Sequence, residues 1–252
     1  MNMKILASDF DNTLFFHEGF KEKDLKAIKA FQAQGNKFGV CTGRQLEGIL
    51  RPSKGVDIDY DFYITISGGT IVNHDHEIIF QRKLPYEVVK DIYNKVGIDL
   101  SIVYQGRMVI NYEDRYHEKG LIRIHDLDEL DAKEVEGFSF HFPAGHLKEA
   151  KACADMINRD YGRLLHAFQN NEHVDVTGAG CSKGEGLNFL KEYYHLHDDE
   201  IIGIGDSWND LPMLEVAPTS YTFDYAPEDV QQAADHVVKG LDECINDLLN
   251  NI

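Results

Sequence analysis

No stretch of this 252-residue chain approaches the roughly 20 consecutive apolar residues that a membrane-spanning helix needs. Its start, Met1-Asn2-Met3-Lys4, runs straight into a short strand-like segment and then an acidic residue, with no secretory hydrophobic stretch. A cytoplasmic protein is the expectation. Positive charge is scarce: 25 Lys and Arg against 43 Asp and Glu leave a formal net charge of −18. A field of that sign repels nucleic acid and anionic membrane, so neither is an expected partner. A small anionic ligand stays admissible, because a bound divalent cation and a few local Lys or Arg reverse the field inside one cleft. Cysteine is sparse as well. Cys41, Cys153, Cys181 and Cys244 are widely spaced and form no CxxC pair, which reads as structural thiols rather than disulfides or a zinc site. Repeats and low-complexity tracts are lacking. The remaining balance, 43% hydrophobic and 27% charged, is that of a globular chain, long enough for a large α/β domain with or without a smaller one.

The first third alternates strand and helix signals. Lys4 to Ser8, Lys37 to Cys41 and Phe62 to Ile66 read as strands. Glu22 to Gln34 reads as an amphipathic helix with Leu25, Ile28 and Phe31 on one face, closed by Gly35, and a second helix runs through Leu50. This order implies a parallel sheet covered by helices. The pattern changes after about Gln81. A helix to Val96 follows Leu84-Pro85, and short strands flank a turn at Gln105-Gly106-Arg107. Residues 113–136 are charged and resist assignment. Phe138 to Phe142 reads as strand, His146 to Arg159 as helix, and Arg163 to Phe168 with His173 to Val176 as a further hairpin. Such a run predicts an antiparallel sheet with helices on one face, inserted into the first architecture. From Lys183 the α/β alternation resumes, with a helix over 184–194, a strand over 201–204 and a helix over 210–216. A pairing of 220–223 with 236–238 and a C-terminal helix end the chain. The expected division is residues 1–82 with 180–252 as the core and 83–179 as the insertion.

The pentapeptide Asp9-Phe10-Asp11-Asn12-Thr13 follows the apolar run Ile5-Leu6-Ala7. Two carboxylates two residues apart at a buried strand tip repel one another, which points to a bound cation, a shared proton or both. Three more segments fall where strands of a parallel sheet should end: Thr42-Gly43-Arg44, Ser182-Lys183-Gly184 and Gly205-Asp206-Ser207-Trp208-Asn209-Asp210. Taken singly, Thr-Gly-Arg is an ordinary strand-to-helix turn, and Ser-Lys-Gly is explained by an N-cap and a solvated lysine. Together, in this order, they supply the carboxylates, hydroxyl, amides and ammonium that phosphoryl transfer needs for positioning and charge neutralisation. By residue type, Asp9 can attack phosphorus as a carboxylate, and Asp11 can protonate the leaving alcohol and then take a proton from water. Asp206 completes an oxygen-rich site suited to Mg²⁺. Thr42 and the Gly43 amide can hold phosphate oxygens, and Lys183 can neutralise them and pair with Asp9.

These four segments resemble the signature motifs of haloacid dehalogenase superfamily phosphatases, and the insertion resembles the type IIB cap of the Cof-type branch. The resemblance spans the whole chain. It implies a Rossmann-like parallel-sheet core carrying an α/β cap built on an antiparallel sheet. It further implies Asp9 as nucleophile, Asp11 as acid and base, Thr42 and Lys183 on phosphate, and Mg²⁺ held by Asp9, the Asp11 carbonyl and Asp206. Asn209 and Asp210 would orient the metal shell. Asn12 stands where the family often has Gly, which an αL-tolerant residue permits. Ser67-Gly68-Gly69 replaces a frequent Asn-Gly-Ala, which leaves Ser67, Gly68 and Arg44 as candidate substrate contacts.

In the insertion, Arg107, His166 and Asn170 lie near turns and join those candidates. His74 with His76, and His195 with His197, read as solvated pairs in polar loops. Tyr193, Tyr194 and Trp208 read as packing. The expected function is Mg²⁺-dependent hydrolysis of a small phosphorylated metabolite (sugar phosphate, nucleotide or cofactor phosphate). Transfer to an alcohol acceptor by a phosphotransferase or mutase, and a non-catalytic phospho-acceptor or regulatory protein, are the alternatives. The residues fix neither the substrate nor the oligomeric state.

Overall fold

The computed structural model describes residues 3–113 and 120–250. Its first layer is an eight-stranded sheet organised around β1 (Ile5–Ser8). A two-strand flap, β2 (Phe15–Phe16) and β3 (Gly19–Phe20), precedes α1 (Glu22–Gln32), β4 (Lys37–Cys41), α2 (Leu46–Ser53) and β5 (Phe62–Thr65). Strand β6 (Thr70–Asn73) then runs antiparallel to β5, and β7 (Ile78–Gln81) antiparallel to β6. The sequence pattern left 70–81 unassigned. The reversal depends on Ile66 and Ser67, which take φ of 53° and 48°. A β-branched residue at positive φ is an outlier that residue type does not announce.

A second sheet begins after β8 (Leu84–Pro85) and α3 (Tyr86–Val96). It contains β9 (Leu100–Tyr104), β10 (Arg107–Ile110) and β11 (Ile122–Arg123), with the two-residue β12 (Glu134–Val135) pairing back to β8. Next come β13 (Gly137–His141), α4 (Leu147–Tyr161), β14 (Leu165–Asn170) and β15 (His173–Gly178). The six strands run in the order β11-β10-β9-β13-β15-β14, antiparallel except for β10 with β11. The predicted turn at 105–107 is present, with Gln105 and Gly106 at positive φ. Within the unassigned span 113–136, residues 114–119 lie outside the described residues.

The chain returns to the first sheet through α5 (Lys183–Tyr193), β16 (Ile201–Ile204), α6 (Leu211–Val216), β17 (Thr219–Phe223), α7 (Glu228–Ala233), β18 (His236–Val238) and α8 (Leu241–Asn250). The strand order is β18-β17-β16-β1-β4-β5-β6-β7, so β1 lies between strands from opposite ends of the chain. The molecule is thus a mixed α/β fold with a mostly parallel core sheet and a separate antiparallel sheet. None of the described helices is long and apolar enough to cross a membrane.

Burial separates the two sheets. Every residue of β1 is inaccessible: Leu6 packs with Phe31, Val40 and Ile245 on one face, and Ile5 and Ala7 with Ile64, Leu187 and Met213 on the other. A parallel sheet covered by helices on both faces requires such uninterrupted apolar strands. In the antiparallel sheet one face is apolar throughout, and the other mixes apolar Val103 and Met108 with polar residues. Ile102, Phe138, Phe140, Val174 and Val176 pack beneath α3 and α4, while the alternate residues Ser101, Ser139 and Asp175 pair in register across three strands. That mixed face turns toward the core. Contact is close enough that a Cβ on Gly137 would collide with Ile66.

Candidate active site

β1 ends at Asp9, whose amide donates to the Ile204 carbonyl at 2.8 Å and so continues the sheet ladder into the site. The chain then turns sharply, with Asn12 at φ 60°, the left-handed conformation that Asn tolerates. The Asn12 amide donates to the Phe15 carbonyl, and Tyr225 Oη donates to the Asn12 carbonyl at 2.5 Å. Phe10 anchors the turn, fully buried and stacked on Phe15 with ring centroids 5.3 Å apart.

Beneath this turn lies a buried charge cluster. Lys183, the first residue of α5, has a fully inaccessible side chain, and its Nζ donates to Asp9 Oδ1 and Asp210 Oδ1, each at 2.5 Å. Ser182 caps that helix by accepting the Glu185 amide at 3.0 Å. Asp210 accepts the amides of Asp206 and Ser207 on Oδ2, both at 2.9 Å, which draws the 205–210 loop around it. Asp206 Oδ1 in turn accepts the Thr13 hydroxyl at 2.8 Å. One oxygen each from Asp9, Asp206 and Asp210 lies within 4.8 Å of the others, the one such metal-capable group among the described residues.

The electrostatics are those of too many carboxylates for one ammonium. Burial pushes the Asp9 carboxyl well above the usual range, Lys183 pulls it back, and Asp210, Asp206 and Asp11 push it further up. Asp206 rises to about 7, chiefly through burial and then through Asp210. Burial opposes the charged form of Lys183, but Asp210 and Asp9 outweigh it and hold the ammonium well above an ordinary lysine. A divalent cation bound by oxygen donors at Asp9 and Asp206 relieves this excess of negative charge, so the donor set fits a hard cation such as Mg²⁺.

Above the cluster opens a cavity of about 510 Å³, lined on the core side by Asp9, Asp11, Thr42, Gly43, Arg44 and Asp206, with Asn209 beside them. Asp11 is clasped by Arg44, whose Nε and Nη2 each donate to one carboxylate oxygen at 2.7 Å. Arg44 is itself fixed by donation from Nη1 to the Gly48 carbonyl and by the Phe10 ring 5.2 Å from its guanidinium carbon. Thr42 is buried, and its hydroxyl accepts the Arg44 amide at 3.2 Å, which leaves its proton to donate elsewhere.

Most candidates from the sequence therefore meet at one place. Lys183 and Asp210 lie under its floor. Ser67 is set back, its buried hydroxyl without a partner in a small recess beside Gly43. Gly68 packs against the Ser182 backbone outside the cavity. Asn170 lines the cavity, whereas Arg107 and His166 do not; His166 instead contacts the Cys181 carbonyl at 3.0 Å. Trp208 packs with Leu214 and Ala226 and donates its indole N–H to Asp229. His74 and His76 bond to Tyr60 and Tyr63, and all four cysteines are free and buried. Sequence reasoning did not find the Thr13–Asp206 and Arg44–Asp11 bonds or the polar wall of the antiparallel sheet. The alternation in Phe138-Ser139-Phe140-His141 and Val174-Asp175-Val176 was the available signal for that wall.

Residues 6–243 match the family described as haloacid dehalogenase-like hydrolase. The chain belongs to that family. It is 24% identical over 277 residues to the 5-amino-6-(5-phospho-D-ribitylamino)uracil phosphatase YwtE of Bacillus subtilis, covering 96% of this chain and 94% of that one. Among solved structures it resembles a HAD/COF-like hydrolase from Plasmodium vivax, with a TM-score of 0.86, 19% identity and coverage of 99% and 96% of the two chains. It also resembles the subclass IIB sugar phosphatase BT4131, with a TM-score of 0.81, 21% identity and 99% of each chain covered. The chain described here is accordingly an enzyme, a hydrolase of the haloacid dehalogenase-like family.

Proposed function

We propose that this hydrolase is a Mg²⁺-dependent phosphatase that releases phosphate from a small phosphorylated metabolite through an acyl phosphate formed on Asp9. The observation that carries the reading is the Lys183 ammonium bridging Asp9 and Asp210 directly beneath a polar cavity. In the first step an Asp9 carboxylate oxygen attacks phosphorus, the bond to the leaving oxygen breaks, and Asp11 delivers a proton to that oxygen. In the second, Asp11 takes a proton from water, whose oxygen attacks phosphorus and frees Asp9. The Thr42 hydroxyl and the Gly43 amide donate to non-bridging oxygens, and Lys183 counters their charge from below. Arg44 fixes the direction in which the Asp11 carboxyl points. Asp9 and Asp206, with the Asp11 carbonyl, would hold the cation, which neutralises phosphate charge when bound. Asp210, engaged on both oxygens, and Asn209 would keep that loop in place.

In this reading residues 1–82 and 180–252 form the catalytic body, and 83–179 form a cap that shields the reaction from bulk water and selects the leaving group. The test is phosphate release from a panel of metabolite esters by wild type and Asp9→Asn, with Mg²⁺ and with chelator. Turnover is expected only for wild type with Mg²⁺. Borohydride reduction of enzyme quenched during turnover should convert residue 9 to homoserine, the signature of an acyl phosphate. Undiminished turnover by Asp9→Asn would sink the mechanism.

A further inference from the structure

Opposite the Thr42-Gly43-Arg44 loop, the antiparallel sheet presents polar side chains that the proposed chemistry does not use. Ser101, Ser139 and Asp175 are cross-strand neighbours on β9, β13 and β15, and His141 faces His173 one pair further along. Ser139 Oγ donates to Asp175 Oδ1 at 2.8 Å, and the Asn170 amide donates to Asp175 Oδ2 at 3.3 Å. His141 Nε2 is 2.8 Å from Ser101 Oγ, and its Nδ1 is 2.9 Å from His173 Nδ1. All six line the same cavity as Asp9 and Asp11. The Asp175 carboxylate reaches the phosphate loop itself: a Cβ on Gly43 would lie 2.6 Å from Asp175 Oδ2. Among the described residues lining the cavity, the only Lys or Arg is Arg44, on the opposite wall and clasping Asp11.

We propose that Asp175 and its row are the specificity determinants of this phosphatase, accepting a neutral, hydroxyl-rich leaving group such as a sugar or polyol and turning away one that carries a second anion. The inference rests on the phosphatase reading above and deepens it. The row consists of side chains whose mutual bonds hold them in place. Ser139 spends its proton on Asp175 and keeps lone pairs for a substrate hydroxyl, while Asp175 keeps lone pairs to accept one. Burial, with His173 beside it, pushes His141 down to about 4, so its imidazole adds no positive charge to the wall at neutral pH. A wall built to exchange hydrogen bonds with hydroxyls penalises an apolar leaving group, because its polar atoms lose water without replacement. A second phosphate beside the Asp175 carboxylate meets like charge with little solvent between them.

The test compares kcat/KM of the Mg²⁺-loaded enzyme on p-nitrophenyl phosphate, a hexose 6-phosphate, the corresponding hexose 1,6-bisphosphate and phosphoethanolamine. The hexose 6-phosphate is expected to exceed the bisphosphate by roughly a hundredfold, and Asp175→Asn to shrink that ratio about tenfold. Equal use of the bisphosphate, preference for the cationic phosphoethanolamine, or a ratio within about twofold of wild type in Asp175→Asn would overturn the assignment. Hydrolysis of p-nitrophenyl phosphate without the expected preference refutes the row alone. Failure on every ester refutes the phosphatase reading and this inference with it. Should Asp175→Asn lose its thermal transition, Ser139→Ala replaces it, with a several-fold loss expected on hexose 6-phosphate and an unchanged value refuting the role. The wild-type ratio stands without any variant.

Discussion

The two sheets use opposite parts of their strands. In the eight-stranded sheet both faces are sealed by helices, so polar chemistry is confined to the strand ends, where Asp9, Thr42 and Asp206 emerge. In the six-stranded sheet one face is sealed by α3 and α4 and the other carries polar side chains in register, so the contribution to the cavity comes from mid-strand positions such as Ser139 and Asp175. The lesson is that the double-sided layer holds its polar groups at rigid strand ends, whereas the single-sided layer exposes a surface that tolerates exchange of side chains without disturbing a core.

Lys183→Met is expected to break the contrast most severely. It leaves Asp9 and Asp210 buried without their cation, which should cost about 3–5 kcal/mol of stability, read from the urea midpoint at constant m. It should also lower kcat/KM by about 10²–10³-fold. An unchanged midpoint would mean that the buried cluster does not anchor the core.

Asp24 sharpens the same point away from the site. On α1, between the sheet and α8, it is fully inaccessible, and its Oδ1 accepts the Asp242 amide at 3.1 Å. Burial raises its carboxyl to about 6, despite the opposing Asp242 hydrogen bond. A folded value above the unfolded one means that protonation favours the fold. The stabilisation is complete below about pH 4 and is lost as pH rises through about 6. Asp24→Asn, which keeps an acceptor for Asp242, should therefore gain about 2 kcal/mol at pH 8 and nothing at pH 4. Thermal melts at the two pH values check this, and an equal effect at both would refute it.

Gly43→Ala probes where the sheets meet. Its Cβ would intrude on Asp175, so kcat/KM on p-nitrophenyl phosphate is expected to fall about tenfold, with most of the loss recovered when Asp175→Ala is added. If the two losses simply add, the polar side chains of the antiparallel sheet do not close on the Thr42-Gly43-Arg44 loop.

The contrast also explains what was legible beforehand. Asp9, Asp11, Thr42, Lys183 and Asp206 could be read because each follows an apolar run or opens a helix, and a parallel sheet gathers its strand ends on one edge. The 193-residue separation of Thr13 from Asp206 carries no local signal, nor does the Arg44 clasp on Asp11. On β13 and β15 the alternation marks a polar face, but strand register decides that Ser139 meets both Ser101 and Asp175. Strands β6 and β7 escaped because the reversal before them rests on Ile66 and Ser67 in a conformation their residue types disfavour.

The place of β1 between β4 and β16 has a consequence for biosynthesis. Residues 5–8 leave the ribosome well before residues 201–204, one of their two hydrogen-bonding neighbours. The entire antiparallel sheet, residues 100–178, is made in the interval and can pack its own apolar face before that neighbour exists. β1 consequently waits with an open edge. Asp9 gains its ion pair with Lys183 and its backbone bond to Ile204 only after the antiparallel sheet has been made. The carboxylate cluster is thereby tied to translation beyond residue 210, and a chain truncated before residue 200 carries the antiparallel sheet without the strand whose ladder Asp9 continues.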